Sequence, residues 1–200
     1  NRGLPLYALP IYEYIISLGK DNYFYAEAQR RNLSIQYHLL DEASSLMQKQ
    51  SLLAQYEAYL NDENAIVPAF VLSQYADLLV LLQKNYTAAI KYLEQAIKES
   101  SEKPLQQAEL KFKLADYYIY TNKVWDAVLL YTQVDKDFKE DPLGETARYK
   151  NARLTYFIGD FEWAQAQLKV LKSATSELIA NDALNLSVLI TENTSPEDTT

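Results

Sequence analysis

The apolar positions of the chain follow a recurring pattern in which a small residue lies three or four residues from a bulky one. The pattern is clearest at Leu114, Ala115 and Tyr118, followed by Ala127 and Tyr131. Residues at these spacings are neighbours on one face of an α-helix. Small residues let two helices approach closely, and the bulky side chains one turn away fill the groove beside them. The pattern therefore predicts paired helices.

The same pattern occurs on both sides of this segment. In the second helix of each pair the small residues are Ala89, Ala127 and Ala164, which are 38 and 37 residues apart. Pro104 and Pro142 are also 38 residues apart. The small residues of the first helices are Ala76, Ala115 and Ala152. Because the spacings of the second-helix alanines and of the prolines agree within one residue, the chain contains an internal repeat of helix pairs.

Local signals set the ends of these helices. Asp141 followed by Pro142 predicts an N-cap and a first helical residue, and Gly159 followed by Asp160 predicts a helix end and the next cap. We expect helix pairs at 66–84 with 86–100, 104–121 with 124–139, and 143–158 with 161–173, and a final helix at 176–191. In the less regular N-terminal third, helices are expected at 6–18, at 22–38 and from Asp41 to about Leu60.

The repeat resembles the tetratricopeptide repeat, which has a small residue in its first helix, a small-x-x-x-aromatic signature in its second and a proline after it. The resemblance covers residues 66–173 closely and 22–65 loosely, and Lys111 stands where the family usually has Trp. It implies an all-α fold, a right-handed superhelical stack of antiparallel helix pairs. The period exceeds the usual ~34 residues by about one helical turn, so we expect second helices longer than standard.

This interpretation divides the chain into three parts. We expect residues 1–65 to form N-terminal helices with a degenerate repeat, 66–191 to form the repeats and a C-terminal capping helix, and 192–200 to be a disordered tail. The last helix is more apolar than a solvent-facing cap should be. Its apolar residues are Leu178, Ile179, Leu184, Leu186, Val188, Leu189 and Ile190. We therefore predict either that the chain is a fragment of a longer array or that this helix self-associates.

The charge balance narrows the classes of partner. The formal charge is −8, from 27 acidic and 19 basic residues, and no window clusters Lys and Arg. Nucleic acids and anionic lipids require such clusters, so neither is an expected partner. No apolar run approaches the ~20 residues that cross a bilayer. The compartment stays open between cytoplasm and cell envelope or periplasm, and the chain looks most like bacterial repeat proteins of the envelope.

The side chains that catalysis uses are scarce. There is no cysteine, and the one histidine, His38, is expected at a helix end. One histidine is not a metal site. The acidic pairs Asp41–Glu42 and Glu140–Asp141 fall at predicted helix boundaries, where they favour the helix dipole or face water. The sequence has no Gly-rich phosphate loop and no nucleophile elbow. We expect no enzyme activity, no metal and no cofactor.

The resemblance implies that the first helices line a concave groove that binds a peptide or partner protein. Carried onto this sequence, the groove residues are Asp77, Phe112, Asp116, Ile119, Tyr120, Tyr149, Arg153, Tyr156 and Phe157. The set is aromatic and mostly uncharged, which favours apolar or aromatic anchors. It lacks the Lys, Arg and Asn set with which some repeats clamp a C-terminal carboxylate. The alternative is that Phe112, Ile119 and Phe157 pack between neighbouring repeats or under the N-terminal helices.

Three functions fit this sequence. The first is a non-catalytic scaffold that binds a peptide or partner helix. The second is the sensor or regulatory module of a longer signalling protein. The third is a cell-envelope protein that assembles outer-membrane components or binds glycan, which the Tyr and Trp content permits. An export signal upstream would favour the third, and a DNA-binding domain upstream would favour the second.

Overall fold

The structure, a computed structural model, describes residues 3–139 and 141–194. These residues form ten α-helices and no β-strand, an all-α helical repeat fold. The helices are α1 (Gly3–Ser17), α2 (Tyr25–Leu39), α3 (Leu46–Leu60), α4 (Ala69–Gln83), α5 (Tyr86–Glu99), α6 (Pro104–Tyr120), α7 (Val124–Asp137), α8 (Pro142–Phe157), α9 (Phe161–Leu171) and α10 (Glu177–Thr194). All ten helices predicted from the sequence are present, and Glu140 of the predicted acidic pair lies outside the described residues.

The helices group into two compact units, Asn1–Gln107 and Ala108–Thr200, whose border falls within α6. In the first unit α2, α3 and α4 pack on one another, α1 packs on α2, and α5 pairs with α4. In the second unit α8 packs on α7, α9 and α10. The border expected between residues 65 and 66 lies inside the first unit.

Short turns reverse the chain within the helix pairs of the second unit. Asn122 in the α6–α7 turn and Gly159 in the α8–α9 turn adopt left-handed conformations, with φ of 60° and 86°. The N–H of Lys123 then donates to the Tyr118 carbonyl at 2.8 Å, which satisfies an otherwise unpaired group at the end of α6. Asp160 caps α9 through its side chain. The predicted Gly159–Asp160 stop and cap are confirmed.

The predicted alanines lie at the helix crossings. Ala115 of α6 and Ala127 of α7 belong to one buried cluster with Tyr131. Ala152 of α8 and Ala164 of α9 belong to a second cluster. None of the four alanines exposes any surface. The helix-pair register predicted from the repeat is therefore confirmed in this unit.

The start of α3 was predicted too early. The helix begins at Leu46 rather than at Asp41, because Ser45 and Gln48 form a reciprocal capping box. Ahead of it, the Ser44 hydroxyl donates to the Asp41 carboxylate at 2.9 Å and accepts from the Asp41 N–H at 2.9 Å. These local hydrogen bonds hold residues 41–44 in a turn and compete with a helix.

The second helices, predicted to be longer than standard, have lengths within the usual average of ~10–14 residues. The second helices α5, α7 and α9 contain 14, 14 and 11 residues. The first helices α4, α6 and α8 contain 15, 17 and 16 residues. Helix α7 stops at Asp137 because Phe138 leaves the helical conformation, with φ −120° and ψ 42°. The first helices are therefore the longer members of each pair.

Helix α10 packs through one face only. Ala183, Ser187 and Ile190 are buried, whereas Leu184 and Val188 on the opposite face are exposed. The exposed apolar face expected for this helix is present, and its self-association stays a prediction. The helix continues to Thr194, so the first three residues of the tail predicted to be disordered are helical. Residues 195–200 lie outside the described part of the chain.

Glu145 of α8 anchors the segment that leads into α10. Its carboxylate accepts from the Thr175 N–H at 2.7 Å and from the Ser176 N–H at 3.3 Å. Burial by itself raises the pKa of Glu145, but these backbone hydrogen bonds outweigh it and hold the pKa below its usual value. The ionised carboxylate therefore favours docking of α10 on α8.

This contact predicts a pH dependence. A carboxyl group whose pKa is lowered by folding stabilises the protein above its unfolded-state pKa, and that stability is lost as the pH falls through the folded-state pKa. Glu145→Gln should lower the melting temperature at pH 7, and the difference from the parent should shrink below about pH 4. Thermal unfolding followed by circular dichroism at both pH values measures this, with exposed Glu109→Gln as the control. A difference that is independent of pH would contradict the assignment.

Candidate functional site

A cavity of about 230 Å³ opens between α6 and α8 in the second unit. Helix α6 contributes Asp116 and Ile119, α7 contributes Tyr131, and α8 contributes Lys150, Arg153, Leu154 and Phe157. The four lining residues of α8 recur every three or four positions, so one face of this helix forms a wall. Four of the nine predicted groove residues, Asp116, Ile119, Arg153 and Phe157, therefore meet at one place.

The apolar part of the cavity has a buried base and an exposed rim. Leu154 is buried in the cluster that contains Ala115 and Ala127. Phe157 at the end of α8 is 71% exposed, far more than an aromatic side chain in a core. The alternative expectation, that Phe157 packs between helices, therefore does not hold. An exposed aromatic ring beside a cavity is typical of a binding anchor.

Tyr131 brings a hydroxyl group to the cavity. Its ring is buried and packs against Phe112 with the centroids 6.0 Å apart. The hydroxyl donates to the Asp116 carboxylate at 3.4 Å. Burial raises the pKa of Tyr131, Asp116 raises it further, and Arg153 partly opposes them. Tyr131 is therefore a neutral donor at physiological pH, and Asp116 is engaged within the protein.

Two cations line the cavity, and each lies over an aromatic ring. The Lys150 Nζ is 5.7 Å from the centroid of Phe112, and the Arg153 Cζ is 5.9 Å from the centroid of Tyr149. Contacts of this kind are attractive and restrict where the cation lies. With two cations and one carboxylate, the cavity carries a formal charge of +1 in a chain of formal charge −8.

Lys150 was not predicted from the sequence, because the predicted groove face of α8 included Tyr149, the residue before it. The carried-over family pattern selected Tyr149, one residue earlier on α8. The face that lines the cavity follows the spacing from Lys150 through Arg153 to Phe157 instead. Neighbouring helix residues point about 100° apart, so a shift of one position changes the face. A step of four residues back from Arg153 leads to Tyr149 and a step of three leads to Lys150, and both steps are compatible with one helix face.

Four further predicted groove residues of this unit lie outside the cavity lining. Tyr149 and Tyr156 are half-buried and pack against the core formed by α8, α9 and α10. Phe112 is half-buried and packs against two buried clusters, beneath the Lys150 ammonium. For Phe112 the packing alternative therefore applies. Tyr120 is exposed at the end of α6.

Asp77, the ninth predicted groove residue, lies in the first unit. Its carboxylate accepts from the Tyr37 hydroxyl of α2 at 2.6 Å. Nearby, the buried Tyr56 hydroxyl donates to Gln74 at 2.8 Å, and Gln74 donates to Ser34 at 3.0 Å. Burial raises the pKa of both tyrosines, with Asp77 adding to the effect. Asp77 is thus part of a polar network that joins α2, α3 and α4.

The described residues contain no group of three or more His, Asp or Glu side chains that could hold a metal ion. His38 lies exposed near the end of α2, with its Nε2 3.3 Å from the Gln74 Nε2. Within the same residues, no helix combines the length and the apolar character that a membrane span requires.

These features define an all-α helical repeat protein with a charged and aromatic cavity between two helices. Comparison with protein-family models and with curated proteins gives no match. Among solved structures, the chain is similar to the crystal structure of BtubC (BKLC) from P. vanneervenii. The two are 13% identical with a TM-score of 0.61, over 96% of this chain and 82% of that chain. At this identity the likeness shows the fold alone.

Proposed function

We propose that this chain is a non-catalytic protein-interaction scaffold of the tetratricopeptide type, which binds a peptide or partner protein through the cavity between α6 and α8. The observation that carries the proposal is the convergence of Ile119, Arg153 and Phe157 with Lys150 around one cavity. Exposed aromatic and arginine side chains are the residue types enriched at binding hot spots.

The size of the cavity favours a side chain over a cofactor. Small-molecule sites usually have volumes of about 300–1,000 Å³. At about 230 Å³, this cavity is smaller and open at its rim. It suits one apolar or aromatic anchor residue of a partner, packed between Ile119 and Phe157.

The charged side chains of the cavity favour an acidic residue next to this anchor. Asp116 already accepts a hydrogen bond from Tyr131, while Lys150 and Arg153 make weak cation–π contacts with Phe112 and Tyr149. An acidic residue beside the anchor can therefore pair with either cation. Exposed pairs of this kind contribute ~0.2–1 kcal/mol each and weaken at high salt. The partner segment would combine one apolar anchor with a neighbouring acid.

A random peptide library displayed on phage, selected on the full chain, tests the proposal. We expect the recovered peptides to lose about 5- to 30-fold in affinity on Phe157→Ala, because an exposed anchor contact is removed. Lys150→Gln with Arg153→Gln should weaken them further and reduce the salt dependence. Titration by fluorescence anisotropy measures both effects.

Leu129→Ala is the matched control, because Leu129 is exposed on α7 and does not line the cavity. The melting temperature of Phe157→Ala should stay close to the parent's, since most of the ring is in solvent. Peptides that bind the parent and all cavity variants with equal affinity would overturn the proposal.

A further inference from the structure

A second surface lies at the edge of the second unit where the turns of the helix pairs meet. A cleft of about 520 Å³ separates the α6–α7 turn from the α8–α9 turn. Its lining residues are Asn122, Val124, Trp125, Ile158, Gly159 and Asp160. None of these residues lines the cavity between α6 and α8. The cleft is therefore distinct from the site of the proposed function.

Trp125 presents a large aromatic face in this cleft. It lies in the first turn of α7 and is 66% exposed. Tyr120 and Phe157, at the ends of α6 and α8, are also largely exposed. Tryptophan carries a large apolar area, and its exposure is costly in water unless another molecule covers it. These three exposed aromatic residues give this edge of the unit the composition of an interaction surface.

The charges around the cleft are mainly negative. Asp160 lines it and uses one carboxylate oxygen, Oδ1, to accept from the Trp163 N–H at 3.1 Å. Asp126, next to Trp125, is exposed in the first turn of α7. The cation of the turn, Lys123, lies over the Tyr118 ring, 5.6 Å from its centroid. Of these three charged side chains, two are acidic and one is basic, and Asp160 is the one that lines the cleft.

The helix dipoles do not reverse this sign. Helices α6 and α8 end at the cleft, whereas α7 and α9 begin there. The partial negative charges of two C-termini and the partial positive charges of two N-termini therefore oppose one another. The acidic side chains and the net charge of −8 therefore favour a cation at the cleft.

We propose that this cleft binds an arginine side chain of a partner protein. A guanidinium group can lie flat on the exposed indole of Trp125 while it donates hydrogen bonds to the Asp160 carboxylate. Lysine fits less well, because an ammonium group is more strongly hydrated and does not stack. The cavity between α6 and α8 has the opposite charge preference, so the two sites select different residues of a partner.

The test uses the same phage-displayed random peptide library, selected on the full chain and on Trp125→Ala. Peptides that the parent retains and Trp125→Ala loses should be enriched in arginine. Replacing that arginine by neutral, isosteric citrulline in the synthetic peptide should weaken binding about fivefold or more. Replacing it by lysine should weaken binding by a smaller factor.

Two further variants test whether binding requires Trp125 in particular and whether it requires the charge of Asp160. Trp163→Ala removes the second tryptophan, which is 52% exposed and lies outside the cleft lining, and should leave the arginine peptides bound. Asp160→Asn removes the charge but keeps a good N-cap for α9, so it should weaken binding about two- to fivefold without changing the helix content.

Three outcomes would overturn this proposal. They are Trp125-dependent peptides without arginine, peptides equally sensitive to Trp163→Ala, and a library from which no Trp125-dependent peptide is recovered. Peptides that depend on Phe157 but not on Trp125 would leave the proposed function standing and reject the arginine site alone.

Discussion

Replacing Gly144 by alanine is expected to destabilise the second unit strongly. Gly144 is buried in the first turn of α8, where an added Cβ would lie 2.1 Å from the Phe138 carbonyl oxygen and 2.8 Å from its carbon. Both atoms belong to the backbone at the end of α7, so no side-chain rotation relieves the clash. In an unhindered helix the same change would gain ~0.5–1 kcal/mol. The steric clash should outweigh this gain and lower the free energy of unfolding by about 2 kcal/mol or more.

Thermal unfolding measures this effect. For a chain of 200 residues, a loss of 2 kcal/mol lowers the melting temperature by roughly 4–8 °C. The informative control is Gly159→Ala, because an added Cβ there meets no atom within 4 Å while φ is 86°. That variant reports backbone strain without a clash and should cost less. If Gly144→Ala melted at or above the parent's temperature, the close approach of α7 and α8 would be wrong.

Replacing Ala127 by leucine should destabilise the same unit by overpacking. Ala127 is fully buried beside Ala115 at the crossing of α6 and α7. Three extra carbon atoms would have to fit into this fully buried crossing, so we expect the helices to separate or the side chain to leave its preferred rotamer. The expected cost is ~1–3 kcal/mol.

Ala166→Leu is the matched control for this substitution. Ala166 is exposed on α9, so the same change in side-chain size should leave the melting temperature nearly unchanged. Equal melting of the parent and Ala127→Leu would mean that Ala127 does not lie at a close helix crossing, and the register of the repeat would fail with it.

The helices and their register could be predicted because the signals are local. Gly159, Asp160 and Asp141 mark helix ends through hydrogen bonds that each turn makes on its own. The buried alanines recur at a fixed spacing, so a single observation, the repeat, sets all the crossings. The start of α3 was predicted wrongly because Asp41 and Ser45 are both suitable N-cap residues, and only the Ser45–Gln48 capping box forms.

The site could be predicted only in part, since it depends on how three helices meet. Whether Tyr149 or Lys150 lines the cavity is decided by the rotation of α8 against α6, which no local motif encodes. The role of Asp77 depends on Tyr37, 40 residues away in the chain. Lys111, at the position where the tetratricopeptide pattern usually has Trp, is buried and pairs with Asp137 at 3.2 Å. This ion pair could not be predicted from the sequence either.

Photocrosslinking from position 157 tests the central claim most directly. The full chain would carry p-benzoylphenylalanine in place of Phe157, or in place of Leu129 as the matched exposed position on α7. Each protein is irradiated with a library-selected peptide, and the adducts are mapped by mass spectrometry. If a partner binds between α6 and α8, the residue-157 probe gives the adduct and excess unlabelled peptide suppresses it. Equal adduct yields from positions 157 and 129, or adduct formation at position 129 alone, would contradict the account.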